Sequence, residues 1–253
     1  MFCIFTNDNN VKIKLIDSII SNNFKIRDNH EIIFRRINTF LINNNIIKNN
    51  IIDLGAWIGD NSIPWAKNIK GIVYAIDPSP NNIQFILETC KINNIRNIKL
   101  IQKAISDKNQ ELYTNDDINH CSFVYGLDAE GNGKLKVESV SLDHLYDTNI
   151  IDNIGYIHLD AEGLEYKIIR GSHKIIEKFN PIISFEQHLE MDNYNQIINH
   201  LKEKKYNIFM IDEIMPGCRP DCRNFFAFPY SVYNETLIKN INAHIGKRIL
   251  ISY

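Results

Sequence analysis

The segment Ile51-Ile52-Asp53-Leu54-Gly55-Ala56-Trp57-Ile58-Gly59-Asp60-Asn61-Ser62 decides the fold class of this chain. Its apolar start predicts a buried strand that ends at Asp53, and a helix is expected to open near Asn61. Gly55 and Gly59 lie in the turn between them, where a missing side chain lets a ligand approach the backbone beside the N–H groups of a helix start. We therefore expect a ligand site at this strand-to-helix turn.

The acidic residue of the turn restricts the kind of ligand. A dinucleotide site has the pattern Gly-x-Gly-x-x-Gly around the pyrophosphate, whereas this turn reads Asp53-x-Gly55-x-x-x-Gly59. A carboxylate at the strand end repels phosphate and attracts cationic groups. S-adenosylmethionine carries a sulfonium and an ammonium and no phosphate, so the pattern favours this cofactor over a nicotinamide dinucleotide. A turn that binds nothing is the alternative.

Two further segments are candidates to bind a nucleoside. Asp77 and Pro78 follow the second predicted strand, about 20 residues beyond Gly55, where a carboxylate can accept hydrogen bonds from both hydroxyls of a ribose. Read alone, this segment is a helix-initiating turn. Ser106 and Asp107 follow the third predicted strand and could close over an adenine.

Acidic residues and a histidine follow the next two predicted strands: Asp160 and Glu162 after the fourth, Glu186 and His188 after the fifth. The carboxyl ends of parallel strands share one edge of a sheet, so we expect these side chains to converge. Either Asp160 or His188 takes the proton from an attacking hydroxyl, with Glu162 and Glu186 in support, or Asp160 and Glu186 hold a divalent cation, Mg²⁺ or Mn²⁺. Helix capping and a surface histidine are the alternative for Glu186 and His188.

From residue 50 onward, short apolar runs alternate with helical ones, which predicts a doubly wound α/β sheet. The predicted strands are Ile51–Leu54, Ile72–Ile76, Ile98–Ile101, Gly155–Leu159, Ile182–Phe185, Ile208–Ile211 and Asn224–Pro229, and the helices are Asn61–Asn68, Asn81–Asn93, Glu165–Phe179, Asp192–Lys204 and a weak C-terminal one. Between the third and fourth strands, an insertion with short strands is expected at Glu111–Thr114, Cys121–Tyr125 and Lys134–Val140.

Residues 1–49 are expected to form a helical extension packed on a main domain of residues 50–253. One helix is expected to begin after Asp28 or Asn29, with Arg35 and Arg36 on the face opposite its apolar residues. The apolar faces of these helices could also pair between two copies of the chain, as a homodimer.

The overall charge limits the classes of partner. The 253 residues carry 28 Lys and Arg against 30 Asp and Glu, a net charge of -2, so binding to nucleic acid through bulk charge is not expected. No apolar run reaches the roughly 18 residues of a membrane span, and the polar start does not resemble a secretory signal.

The five cysteines are odd in number and scattered, which favours a reducing, cytoplasmic location over a disulfide framework. Cys218 and Cys222 form a Cys-x-x-x-Cys pattern that could bind zinc only with two further ligands. None stands at a convincing spacing, so free thiols are predicted.

The order of these segments resembles the FkbM-type family of S-adenosylmethionine-dependent methyltransferases. The matching segments are Ile52-Asp53-Leu54-Gly55-x-x-x-Gly59, Ala75-Ile76-Asp77-Pro78, Lys103-Ala104-Ile105-Ser106-Asp107, Val140-Ser141-Leu142-Asp143, His158-Leu159-Asp160-Ala161-Glu162-Gly163-Leu164-Glu165 and Pro181-Ile182-Ile183-Ser184-Phe185-Glu186. Trp57 and Ile58 depart from the small or polar residues that are frequent in this family.

The resemblance implies a Rossmann-like class I methyltransferase fold, with a seven-stranded, mostly parallel sheet and helices on both faces. It implies transfer of a methyl group to a hydroxyl of a sugar, a glycan or another small molecule. It places the cofactor's methionine portion near Asp53, Gly55, Gly59 and the helix start at Ser62, its ribose at Asp77 and Pro78, and its adenine near Ser106 and Asp107. The alternatives are an RNA ribose 2′-O-methyltransferase, a catalytically silent binding module of the same fold and, third, a nicotinamide oxidoreductase.

Overall fold

The computed structural model of this protein describes residues 2–6, 12–16, 22, 30–114, 135–190, 194–216, 218–246 and 250–253. Its strands are β1 (Phe2–Thr6), β2 (Lys12–Ile16), β3 (Asn50–Leu54), β4 (Val73–Ile76), β5 (Ile98–Ile101), β6 (Ala104–Ile105), β7 (Gln110–Thr114), β8 (Leu135–Val140), β9 (Ile154–Leu159), β10 (Ile182–His188), β11 (Tyr206–Ile211), β12 (Cys222–Pro229) and β13 (Leu250–Ser252). Its helices are α1 (Ile32–Asn43), α2 (Ser62–Asn68), α3 (Pro80–Ile92), α4 (Leu142–Asp147), α5 (Glu165–Arg170), α6 (His173–Phe179), α7 (Tyr194–Glu203) and α8 (Glu235–Ile245).

The central sheet has the strand order β13-β11-β12-β10-β9-β3-β4-β5. The strands from β10 to β5 in this order pair in parallel, and β12 lies antiparallel between β10 and β11. The parallel strands are rich in Ile, Val and Leu because both of their faces are covered. The predicted α/β class with a mostly parallel sheet is therefore confirmed.

The sheet has one strand more than the expected seven. The additional strand is β13, which pairs antiparallel with the outer side of β11. Of its three residues only Leu250 is buried, and so short an edge strand leaves no apolar pattern in the sequence.

Helices cover both faces of the sheet. On one face, α4 and α5 contribute Leu142 and Ile168 to a core that includes alternate residues of β9 and β10. On the other face, α1, α2 and α8 contribute Phe34, Trp65 and Ile241. None of the described helices combines the length and the apolarity that crossing a membrane requires.

The N-terminal region differs from the helices expected there. β1 and β2 pair as an antiparallel hairpin, and in β2 the exposed Lys12 and Lys14 alternate with the buried Ile13 and Leu15. This period of two is typical of a strand with one buried face. The buried side chains pack in one cluster with Phe85 of α3. The division of the chain at residue 49 stays a prediction.

Helix α1 is present, but one of its faces was wrongly predicted. Arg36 is exposed as expected, whereas Arg35 is fully buried. Its Nη2 donates to Asp60 Oδ2 at 2.6 Å. A count of apolar periodicity treats arginine as a surface residue. It cannot detect a buried ion pair with a residue that is distant in the sequence. Residues 28 and 29, the predicted start of this helix, lie outside the described residues.

The insertion forms a small separate sheet of the order β6-β8-β7. β7 and β8 match the strands predicted over Glu111–Thr114 and Lys134–Val140, while the one predicted over Cys121–Tyr125 lies outside the described residues.

Two predicted boundaries also differ. The helix expected over Glu165–Phe179 is divided into α5 and α6 at Gly171. β10 continues past Phe185 to His188 because it pairs with β12 over this length.

Candidate active site

A cleft opens where the strand order of the sheet reverses, between β3 and β9. In open α/β sheets, ligands bind at such a switch point, outside the carboxyl ends of the strands. The cleft encloses about 830 Å³, including its open mouth. Its walls follow β3, β4, β5 and β9, through residues 53–57, 60, 61, 76–78, 82, 103–105, 160–162, 164 and 168.

The glycine turn after β3 brings two strand ends into contact. Gly55 has a φ of +74°, and a Cβ at this position would stand 1.7 Å from the carbonyl oxygen of Asp160. Only glycine can occupy this place without displacing the backbone. Gly59 also has a positive φ of +80°, but a Cβ there would meet Ile63 and Ile86. Gly59 therefore supports the turn on the side away from the cleft, and it is not among the residues that line the cleft.

Asp53 is the penultimate residue of β3, and its carboxyl group is buried, only 1% exposed. Ser62, in the first turn of α2, donates its hydroxyl to Asp53 Oδ2, whereas Oδ1 has no hydrogen-bond partner among the described residues. Burial raises the pKa of Asp53 to about 8, against the lowering effect of Ser62 and with added repulsion from Asp60 and Asp160. A buried acceptor atom of this kind fits a cationic donor group of a ligand.

Asp77 follows β4 and ties two segments of the cleft together. Its Oδ1 accepts from the amide of Ser79 at 2.8 Å and from Asn82 Nδ2 at 3.0 Å, and its Oδ2 accepts from the amide of Trp57 at 2.9 Å. Burial raises its pKa to about 6. A carboxylate has about four acceptor positions, so Oδ2 retains one for a ligand hydroxyl. Pro78 lines the cleft beside it.

The segment after β5 reaches the cleft through residues 103–105. Ser106 is fully buried, and its amide donates to the carbonyl of Val140 at 3.0 Å. Asp107 follows it and is partly buried. The structure thus places Ser106 and Asp107 next to the cleft and outside its lining.

Asp160 and Glu186 form a pair at the ends of neighbouring parallel strands. His158 of β9 pairs with Ser184 of β10, so the residues two positions further on face the same side of the sheet. Glu186 and Asp160 are hydrogen-bonded, and burial together with the charge of Asp160 raises the pKa of Glu186 well above its usual value. Two adjacent carboxylates cannot both ionise easily. Glu186 is therefore favoured to hold a proton, beside the Asp160 carboxyl group that lines the cleft.

Glu165 stabilises the loop after β9 by accepting hydrogen bonds from backbone amides of that loop. Its Oε1 accepts from the amide of Ala161 at 2.8 Å, and its Oε2 accepts from the amide of Gly163 and from Gln187 Nε2, each at 3.1 Å. Burial raises the pKa of Glu165 to about 7. Glu162 lines the cleft and has a left-handed φ of 50°, a strained conformation that persists because the surrounding loop holds it.

The four side chains predicted to act in catalysis are divided by the structure. Asp160 and Glu162 line the cleft, and Glu186 reaches it through Asp160. His188 lies two residues further along β10, where it pairs in register with Cys222 of β12. It belongs to a separate group of potential metal ligands beside the cleft.

Sequence patterns missed five polar or aromatic residues of the cleft: Trp57, Asp60, Asn61, Asn82 and Lys103. The only signal for Asp60 is a second acid inside the glycine turn. Its buried partner Arg35 comes from α1, and no local pattern connects the two.

The lining of the cleft is strongly acidic. Lys103 is the one cation among the described lining residues, against five acids. These acids are Asp53, Asp60, Asp77, Asp160 and Glu162. Asp60 is paired with Arg35, and burial favours the protonated form of Asp53. The ionised acids among the five repel the phosphates of a dinucleotide or of RNA, and a cationic ligand favours ionisation of the others.

Residues 53–208, more than half of the chain, match the family described as the Methyltransferase FkbM domain. Among solved structures, the methyltransferase FkbM from Methylobacillus flagellatus KT is 15% identical, with a TM-score of 0.52 over 71% of this chain and 43% of that one. This chain therefore spans less than half the length of that FkbM structure. No curated protein matches the sequence.

Two other structures are similar at lower TM-scores. The precorrin-6y C5,15-methyltransferase from Geobacter metallireducens GS-15 is 14% identical, with a TM-score of 0.46 over 79% of this chain and 88% of that one. M. jannaschii TYW2 in complex with AdoMet is 16% identical, with a TM-score of 0.46 over 89% of this chain and 84% of that one.

The similarity to the FkbM structure shows a shared fold, and the predicted resemblance is confirmed by the family match. Since the matched span starts at Asp53 and includes the end of β3 and all of β4, β5 and β9, this chain belongs to the FkbM methyltransferase family.

Proposed function

We propose that this chain transfers a methyl group from S-adenosylmethionine to a hydroxyl oxygen of a sugar, a glycan or another small molecule. The observation that carries the cofactor assignment is Asp53 Oδ1, a buried acceptor with no partner among the described residues, in a cleft lined by five acids. Ionisation of these acids becomes favourable when a cation enters the cleft.

The residues of the cleft fit this cofactor. Asp53 Oδ1 accepts from the ammonium group, the free position on Asp77 Oδ2 accepts from a ribose hydroxyl, and residues 103–105 form a wall for the adenine. When bound, the cofactor supplies a methyl group on a sulfonium, which makes the group open to displacement.

We assign to Asp160 the role of the base that binds the hydroxyl of the acceptor. The hydroxyl of the acceptor would donate to the Asp160 carboxylate, and Asp160 would take the proton that the acceptor oxygen loses when it is methylated. A positioned base of this kind contributes about 10²–10⁴-fold to the rate. Glu186 holds Asp160 through their hydrogen bond, so it is a positioning residue, and Glu162 stands beside them in the lining.

Several finer predictions belong to the same proposal. The geometry supports Asp160 over His188 as the base, because only Asp160 lines the cleft. Mg²⁺ or Mn²⁺ on Asp160 and Glu186 stays a prediction, as do the cytoplasmic location and the homodimer.

The test measures transfer of a labelled methyl group from S-adenosylmethionine to three classes of acceptor: nucleotide sugars, free glycans and RNA. We expect transfer to a sugar-containing acceptor, and binding of S-adenosylmethionine to the protein alone in calorimetry. Absence of cofactor binding would refute the assignment of the cleft. Transfer to RNA alone would show that the acceptor is RNA and not a sugar or another small molecule, although the acidic lining disfavours a polyanion.

A further inference from the structure

A second group of reactive side chains lies beside the cleft, where β10 pairs with β12. The antiparallel register sets His188 directly opposite Cys222. Glu186 stands two residues before His188 on the same strand and therefore on the same face. The sheet itself thus brings a carboxylate, an imidazole and a thiol to one place.

The potential ligand atoms of these three residues are close enough to share one ion. One oxygen of Glu186, one ring nitrogen of His188 and the sulfur of Cys222 all lie within 4.8 Å of one another. In a tetrahedral zinc site, bond lengths of about 2.0–2.3 Å place neighbouring ligand atoms about 3.3–3.8 Å apart. Small side-chain rotations suffice to reach that spacing.

Cys218 supplies a fourth ligand from the loop before β12. Its sulfur lies 3.9 Å from Glu186 Oε1, and the Cys218 and Cys222 thiols are in hydrogen-bond contact. His30 Nε2 lies 3.4 Å from the Cys218 sulfur, so the residues before α1 also border the group. The two further ligands that the Cys-x-x-x-Cys pattern lacked in the sequence therefore come from β10.

The charges of the group also favour a cation. The Cys222 thiol donates to the Glu186 carboxyl group, and Asp160 and Glu31 add negative charge nearby. Thiol and carboxyl groups packed this closely can release their protons to solvent when a divalent ion takes the place of those protons.

We infer that Cys218, Cys222, His188 and Glu186 bind one zinc-type divalent ion, separate from the cofactor cleft and joined to it through Asp160. Thiolate and imidazole ligands select zinc over magnesium. Binding replaces the thiol protons, which pass to solvent, and fastens the loop at Cys218 to β10 and β12. This inference does not depend on methyl transfer.

The experiment titrates the full-length protein, with a non-thiol reductant present, against Zn²⁺ in competition with a chromophoric chelator. Co²⁺ is titrated in parallel, since thiolate-to-cobalt charge transfer and the d–d bands report tetrahedral sulfur ligation. We expect one ion per chain with cobalt bands of this type. Failure of the wild-type protein to bind one equivalent, or cobalt spectra without a thiolate band, would overturn the inference.

Two variants locate the site. Cys222→Ser should weaken zinc binding by more than the about 10- to 100-fold that the loss of an outer-shell partner costs, and Cys218→Ser provides a second test on a partly exposed loop. The matched control is Cys90→Ser, because Cys90 is a free, buried thiol in the separate cluster packed on α3. Equal loss of zinc in the control, or no loss in both site variants, would contradict the assignment.

Calorimetry with S-adenosylmethionine separates this inference from the proposed function. Zinc binding without cofactor binding would refute only the methyltransferase proposal, and cofactor binding without zinc binding would refute only the metal site.

Discussion

The cofactor cleft and the group of ligands at β10 and β12 share one edge of the sheet, but they are built in different ways. The cleft depends on a continuous segment, residues 53–62, that contains a strand end, a turn and a helix start. The second group joins Glu186 and His188 to Cys218 and Cys222, which follow about 30 residues later and meet β10 only through strand pairing. A local motif can be read from the sequence, whereas a site made by strand register can be read only once the pairing is known.

The two regions also differ in their chemistry. The cleft contains carboxylic acids around space for a ligand, while the second group contains potential sulfur, nitrogen and oxygen ligands, three of which lie within 4.8 Å of one another. Asp160 and Glu186 connect them through one hydrogen bond. Substitutions in the tight turn should change stability, and substitution of Asp160 in the connecting pair should change turnover and not cofactor affinity. The buried acids should determine how stability depends on pH.

The largest effect is expected from Gly55→Ala. The added Cβ would stand 1.7 Å from the backbone oxygen of Asp160, at a φ of +74°, and neither strand end can move without breaking the sheet. We expect a loss of more than about 4 kcal/mol in unfolding free energy, the range of the most damaging substitutions. Gly163→Ala is the matched control, because its φ is also positive (+97°) but nothing lies within 4 Å of the new atom; strain alone costs about 1–3 kcal/mol. Equal stability of the two variants in chemical denaturation would contradict the close contact.

The next effect concerns turnover in Asp160→Asn. The amide keeps the shape of the side chain and cannot take a proton, so methyl transfer should fall by about 10²–10⁴-fold while affinity for S-adenosylmethionine is largely kept. Asp147→Asn is the control, because Asp147, the last residue of α4, forms a half-exposed ion pair with Lys174 of α6. Single-turnover rates and calorimetry separate the two quantities. A variant that retains its turnover would remove Asp160 as the base.

Arg35→Met tests the contribution of α1 to the cleft. The substitution takes the guanidinium from Asp60, and the loss of one partner of a buried ion pair costs about 3–5 kcal/mol. Arg36→Met changes the same residue type at the neighbouring, exposed position and should stay within about 0.5 kcal/mol. Denaturant midpoints measure both. If the two variants are equally stable, the ion pair between Arg35 and Asp60 does not stabilise the folded protein.

A smaller, graded effect is expected from pH. Burial raises the pKa of Asp77, Glu165 and Asp53 to about 6, 7 and 8, above their values in the unfolded chain. The folded state therefore holds more protons than the unfolded state between about pH 5 and 8, and the unfolding free energy of the cofactor-free protein falls as pH rises through this range. Each kcal/mol lost lowers the melting temperature by about 2–4 °C for a chain of this size.

Asp53→Asn tests how much of this pH dependence of the unfolding free energy comes from Asp53. The variant cannot ionise, so its melting temperature should fall less between pH 5 and 8, while its affinity for S-adenosylmethionine drops because a charged acceptor is lost. In the wild-type protein that affinity should increase toward pH 8, since a cationic ligand favours the ionised acid. A melting temperature that is constant or increases from pH 5 to 8 would show that these acids are already ionised in the folded protein.

Much of the fold and part of the site could be predicted because the signals are local. Continuous apolar runs indicated the parallel strands. Asp77 and Asp160 directly follow two of them, and Asp53 is the penultimate residue of a third. The hairpin of β1 and β2 was missed although Lys12-Ile13-Lys14-Leu15 alternates, because four residues of alternation are too few to outweigh a general expectation of helix. The placement of Ser106 beside the cleft depends on its bond to Val140, which no spacing predicts.

The sequence by itself determined the alternation of strands and helices, the glycine turn that requires close backbone contact, and the family to which the chain belongs. These properties follow from side chains and φ preferences of neighbouring residues. The tertiary structure alone decided that Arg35 turns inward to Asp60, that Glu186 shares a hydrogen bond with Asp160, and that His188 faces Cys222. The physical reason is that the register between strands, set by backbone hydrogen bonds and by packing of the whole sheet, brings together residues whose separation along the chain carries no information about their distance in space.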